Sequence, residues 1–217
     1  MLRRFGSKAV QATLSPFGLK LRRVPATVGY TGPTLTMGHV ENCVVLPDRH
    51  ELLRRLPAGG VVCELGVAEG DFSSDILCLT RPLQLHLVDP WDSSRYTAGY
   101  ERVRDRFRQE IGDGRVIVHR RRSIDALGEY PDAYFDWVYI DTDHSYQTTL
   151  AELSLCARKV RPAGHIAGHD FSRGNPDNGV HYGVIPACHR FCTEQGWQLE
   201  FITVEFDVMF SFCLRRL

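Results

Sequence analysis

The stretch Val61-Val62-Cys63-Glu64-Leu65-Gly66-Val67-Ala68-Glu69-Gly70 constrains this chain more than any other. An apolar, β-favouring run ends in an acid, and two glycines then lead into the amphipathic segment 71–79. Glycine lets the backbone turn through conformations closed to other residues and approach a bound molecule closely. The helix that follows aims its first amides at the same place. The unit is therefore strand, turn and helix, with room for a small ligand on the turn.

From here the chain alternates. Short apolar runs at 60–65, 83–88, 116–119, 135–140 and 164–168 read as strands, and amphipathic stretches at 71–79, 99–111, 124–127, 146–159 and 184–194 read as helices. That order predicts a parallel sheet with helical crossovers. The last two runs, 198–205 and 208–214, leave no room for a crossover and must form an antiparallel hairpin. A helix over 47–56 precedes the sheet and covers it. The expected fold is α/β and Rossmann-like: a seven-stranded, mostly parallel sheet with an antiparallel C-terminal hairpin edge and helices on both faces.

A chain of 217 residues with 43% hydrophobic residues can bury one sizeable core, which is assigned here to residues 44–217. Residues 1–43 form a basic arm and covering segment, with Arg3, Arg4, Lys8, Lys20, Arg22 and Arg23 and no acid before residue 25. Gly6, Pro16 and Gly18 interrupt any helix there, so the arm reads as solvated or as a contact in a homo-oligomer. Over the whole chain 26 basic residues balance 26 acidic ones, and no general attraction to nucleic acid or anionic membranes is expected. No apolar run approaches the roughly 20 residues that span a bilayer. Seven scattered cysteines without a CxxC pair predict free thiols in a reducing, cytoplasmic setting and no structural zinc.

The glycine spacing narrows the ligand. A dinucleotide turn needs G-x-G-x-x-G to seat a pyrophosphate, and Glu64-x-Gly66-x-x-x-Gly70 lacks the third glycine, which argues against a nicotinamide-dependent oxidoreductase. Glu64 suits a cationic or zwitterionic group, and the amino end of S-adenosylmethionine is one. The second strand ends in Leu87-Val88-Asp89-Pro90-Trp91, where Asp89 can accept the ribose hydroxyls with Trp91 beside it. Ser123, after the third strand, is a candidate for the adenine edge. A glycine turn or a strand-end Asp is individually often structural. In order and at these spacings the three together point to a cofactor site.

Two further strand ends carry chemistry. The fourth runs into Asp141-Thr142-Asp143-His144-Ser145-Tyr146, and the fifth into His169-Asp170-Phe171. Adjacent parallel strands open on one crevice, so Asp141, His169 and Asp170 are expected to converge as ligands for Mg²⁺ or another divalent ion, with Asp141 also near the cofactor. Coordination would make a hydroxyl nucleophilic, with His144 as general base. Asp143 reads more simply as a cap on the helix that follows. The irregular loop 172–182 lies beside these ends, where α/β folds build substrate sites. A noncatalytic cofactor-fold binding subunit is the alternative from outside enzymology.

At Glu64-Leu-Gly-Val-Ala-Glu-Gly-Asp-Phe-Ser, Val88-Asp-Pro-Trp, Ile140-Asp-Thr-Asp-His-Ser-Tyr and Gly164-His-Ile-Ala-Gly-His-Asp-Phe the chain resembles class I methyltransferases of the macrocin O-methyltransferase and cephalosporin-hydroxylase-like group. The resemblance covers roughly residues 44–205. It implies S-adenosylmethionine as donor, often Mg²⁺, and a sugar hydroxyl of an antibiotic or glycan as acceptor. It places Asp141 and Asp170 at metal positions and His144 at that of the base. Several relatives carry an acid at the position of His169.

Overall fold

The computed structural model describes residues 32–93, 96–175, 179–206 and 209–217. The basic arm at 1–24 lies outside them. A short 3-10 turn, Met37–His39, leads to strand β1 (Val44–Leu46) and helix α1 (Arg49–Arg55). Asp48 caps α1 by accepting from the Glu51 amide at 2.8 Å. Then come β2 (Val61–Leu65), α2 (Asp71–Thr80) and β3 (Gln84–Asp89). The expected helix 99–111 is two helices, α3 (Gly99–Arg106) and α4 (Arg108–Gly112), parted at Phe107, whose φ of −105° and ψ of 25° leave the helical region. The chain continues through β4 (Val116–Arg120), α5 (Ser123–Glu129), β5 (Phe135–Ile140), α6 (Tyr146–Lys159) and β6 (Val160–Gly168). Residues of the loop 172–182 form a two-stranded ribbon, β7 (Gly174–Asn175) with β8 (Val180–His181), before α7 (Val184–Gln195), β9 (Trp197–Thr203) and β10 (Phe212–Arg216).

The main sheet runs β1-β9-β10-β6-β5-β2-β3-β4. It has eight strands where seven were expected, because β1 pairs in parallel with the outer side of β9, Val44 opposite Phe201. Three residues are too few to show a period, which hid this strand in the sequence. The hairpin is antiparallel as expected, but β10 inserts between β6 and β9 and β1 takes the edge. The remaining neighbours, β2 with β3 and β5, β3 with β4, and β5 with β6, are all parallel. The architecture is the expected Rossmann-like α/β fold, a mostly parallel sheet with an antiparallel hairpin and helices on both faces.

Both faces of the sheet are buried, which is why its strands read as continuous apolar runs. Cys63, Leu65, Val138, Ile140 and Ile166 pack against α5, α6 and α7. Val62, Leu87, Trp137 and Tyr139 face the opposite way, against α1, α2 and α3. The switch point between β2 and β5, where the strand order reverses, opens the crevice that α/β sheets use for ligands. No described helix is long and apolar enough to cross a membrane.

Candidate active site

A cleft of about 520 Å³ lies over the carboxyl ends of β2, β3 and β5. Its floor is the turn after β2. Asp89 organises that turn: one carboxylate oxygen accepts the amides of Val67 and Ala68 at 2.9 and 3.1 Å, and the other accepts that of Trp91 at 2.7 Å. A carboxylate has about four acceptor positions, so one direction stays available to a ribose hydroxyl. Gly66 has φ of 87°, and a Cβ there would overlap the Asp141 carbonyl oxygen. Gly70, at φ of 80°, caps α2 and faces away from the cleft, where a side chain would meet Phe107 and Val103. Trp91 also lies behind the turn. Its indole is 1% exposed and donates to the Ala68 carbonyl at 2.8 Å, so it holds the turn and does not line the cleft.

Glu64 lines the cleft at only 1% exposure. Ser73, on α2, donates to its carboxylate. Burial pushes its pKa from 4.5 up to about 8, so the ligand-free cleft holds Glu64 largely protonated at neutral pH. A cationic group arriving beside it would restore the charge. The sequence reading missed Arg49, the first residue of α1, which lines the same cleft with its guanidinium 4.7 Å from the centre of the Phe72 ring.

Ser123 also lines the cleft, but its hydroxyl donates to Glu152, whose other oxygen accepts from Thr142 at 2.9 Å. Glu152 is fully buried in α6, and burial raises its pKa to about 7. An acid in mid-helix ordinarily reads as a solvated position, so nothing in the sequence pointed to this bridge between three elements. The Ser123 backbone amide belongs to the first turn of α5, where the donors have no partner within the helix.

Asp141, His144, His169 and Asp170 do come together. Ligand atoms of Asp141, His144 and Asp170 lie within 4.8 Å of one another. His144 Nδ1 is 3.0 Å from Asp170 Oδ2. His169 Nδ1 is farther, 3.8 Å from Asp141 and 3.7 Å from Asp170, so the histidine grouped most tightly with the acids is His144 and not the expected His169. Burial raises the Asp141 pKa, against the pull of His169 and His144. Burial works the same way on Asp170, but His169 and His144 outweigh it and hold that carboxyl below its usual range. His169 is raised in turn, because Asp170 and Asp141 overcome its own burial. Two carboxylates with an imidazole are a donor set that fits a divalent cation.

The backbone is strained at the same places. Among the described residues six that are not glycine have positive φ, and four of them, Ala68, Trp91, His144 and Asp170, stand on the turns that build the two halves of the site. Such conformations persist only where the surroundings enforce them, and they gather at functional sites. His144 is held further by the returning loop: the Gly183 amide donates to its carbonyl at 2.8 Å, and the Tyr182 ring lies 4.8 Å from the imidazole. Asp143 takes the structural part foreseen for it, accepting from the Ser145 amide and the Thr148 hydroxyl, each at 2.9 Å, beside the Ser145 cap of α6.

The family model described as "Methyltransferase domain" matches residues 63–171, half of the chain, from the middle of β2 to just past Asp170. No curated protein matches the chain. Among solved structures it is similar to the pyocyanin biosynthetic protein PhzM, at TM-score 0.58 and 15% identity over 77% of this chain. It is similar at TM-score 0.58 and 14% identity, over 77% of its length, to an O-methyltransferase family protein from Burkholderia thailandensis. The chain spans only 54% and 55% of those two proteins. A Streptococcus mutans protein described as a methyltransferase, solved in complex with SAH, matches at TM-score 0.56 and 11% identity, over 78% of this chain and 96% of that one. At these identities the neighbours speak for the fold, and the family model, spanning the glycine turn and the acid-histidine cluster together, carries the assignment: the chain belongs to the methyltransferase-domain family.

Proposed function

We propose that the protein is an S-adenosylmethionine-dependent O-methyltransferase, assisted by a divalent metal, that methylates a hydroxyl of a sugar or glycosylated small molecule. The observation that carries this reading is Asp141, which lines the cleft above the glycine turn and also belongs to the acid-histidine cluster. Donor and acceptor would meet across one residue.

The roles follow from the geometry. Glu64 would face the ammonium of the donor, Asp89 a ribose hydroxyl, and the Ser123 amide the adenine. Bound S-adenosylmethionine would supply an electrophilic methyl group, and a divalent ion the acidity that makes a hydroxyl nucleophilic at neutral pH. Asp141 and Asp170, with His169 behind them, would hold that ion. His144 Nδ1 stands 3.0 Å from Asp170 Oδ2; with the proton on Nδ1, Nε2 would be the basic nitrogen, the atom to receive the acceptor's proton. Proximity would supply much of the remaining acceleration.

A second reading of His144 has one observation in its favour, the tightness of the Asp141-His144-Asp170 group. There His144 would be a metal ligand and a water the base. Mn²⁺ titration of His144→Gln separates the two: unchanged metal affinity with lost turnover makes it a base, and weakened metal affinity makes it a ligand. The function itself is tested by methyl transfer from labelled donor to a panel of glycosides, with and without EDTA. Turnover that survives exhaustive chelation would remove the metal, and donor binding without transfer to any hydroxyl would favour a binding subunit.

A further inference from the structure

We propose that Arg49 is the cofactor's carboxylate receptor, forming with Glu64 a two-sided clamp for the amino-acid end of the donor. The inference rests on the S-adenosylmethionine reading and extends it to a residue outside the matched domain segment.

Arg49 and Glu64 line one end of the cleft and belong to a single packed group. The Arg49 guanidinium lies over the Phe72 ring at 4.7 Å. Phe72 packs tilted against Tyr139, ring centres 4.4 Å apart, and Tyr139 is level with Glu64 in the pairing of β5 with β2. Ser73, the residue after Phe72, donates to Glu64. The cation and the acid are thus fixed by adjacent residues of α2. Among the described residues Arg49 forms no ion pair, although nearly every other arginine near the cleft does: Arg102 pairs with Glu69, Arg106 with Asp71, and Arg122 with Asp92. A guanidinium stacked on an aromatic ring and left without a carboxylate is preorganised to accept one, through two parallel N–H donors.

Charge selects the occupant. An α-amino acid carries its ammonium and carboxylate on one carbon, so a pocket that seats the ammonium at Glu64 must meet the carboxylate within a few ångströms. The other arginine lining the cleft, Arg122, is at the Ser123 end and is already paired with Asp92. Without a cation at the Glu64 end the donor's carboxylate would face Glu64 and Asp141, two acids. Arg49 removes that repulsion and makes the site select an intact amino-acid end.

The test compares S-adenosylhomocysteine with its decarboxylated analogue, which keeps the ammonium and the adenosine. Calorimetry on the full chain should show the wild type preferring S-adenosylhomocysteine at least tenfold, and Arg49→Gln binding the two equally, through a loss confined to the carboxylated ligand. Arg49→Lys should retain part of the preference, and it keeps the test alive if the glutamine variant fails to fold. An unchanged preference in Arg49→Gln would overturn the proposal and leave the guanidinium to an acidic acceptor. Equal weakening of both ligands would overturn it too, as the mark of a general packing role. If the wild type binds neither ligand, the cofactor reading itself falls.

Discussion

The two halves of the cleft are built by different means. On the β2–β3 side the ligand surface is mostly backbone: Asp89 gathers three amides, Trp91 buttresses from behind, and glycines supply the curvature. On the β5–β6 side it is side chains, with Asp141, His144 and Asp170 brought within reach of one another on turns held in the left-handed region. A backbone site is fixed by local order in the sequence, and it suits a ligand common to many proteins. A side-chain site depends on how separate strand ends meet, and it can be retuned residue by residue for an acceptor.

If this division holds, damage to each half should show a different signature. Asp170→Ala should lower turnover about a thousand-fold while cofactor affinity stays within about threefold, since the chemistry is lost and the donor's contacts remain. Steady-state kinetics beside calorimetry checks it, and an equal loss of binding would erase the distinction between the halves. Asp89→Ala should do the reverse first: with three amides left without their acceptor, urea unfolding should register a loss of about 4 kcal/mol and S-adenosylhomocysteine affinity should collapse.

Glu64 gives a finer test, because its burial sets a sign. Its pKa is raised from 4.5 to about 8, so the stability it contributes to the free protein is full below the lower value and is lost as pH rises through the higher one. Glu64→Gln should therefore stabilise the ligand-free protein by up to about 3 kcal/mol at pH 7, read from denaturation midpoints, while abolishing tight cofactor binding. In the wild type, binding at pH 7 should release close to one proton, seen as a dependence of binding enthalpy on buffer, and the release should fade as pH rises through about 8 and vanish in the variant. The smallest effect belongs to Ser123→Ala. It should cost about 1 kcal/mol of stability through the lost bond to Glu152 and change cofactor affinity less than threefold, because the backbone amide remains.

The same division governs what the sequence disclosed. Strand, glycine turn and helix are consecutive, so the role of Glu64, Gly66 and Asp89 in forming the cleft could be read from spacing. The convergence of Asp141 and Asp170 was legible too, since strand adjacency follows from the alternation. Which imidazole stands closer was not, because that depends on left-handed φ values at His144 and Asp170 that no pattern announces. Arg49 and Glu152 escaped for a related reason: each is a charged residue on a helix, and only the packing of that helix on the sheet turns it inward. Strand β1 was missed because three residues show no period and its pairing partner, β9, lies near the other end of the chain.

The close passage of Gly66 against the Asp141 carbonyl, with the Asp141 amide donating back to Leu65 at 2.7 Å, joins the two halves at a single seam. Position 66 is therefore pleiotropic. A side chain there would spoil the turn after β2 and push Asp141 out of the acid-histidine cluster in the same stroke, and no second substitution in either half could repair both. In a deep mutational scan this position should tolerate nothing, whereas its neighbours would sort into separate donor and acceptor phenotypes.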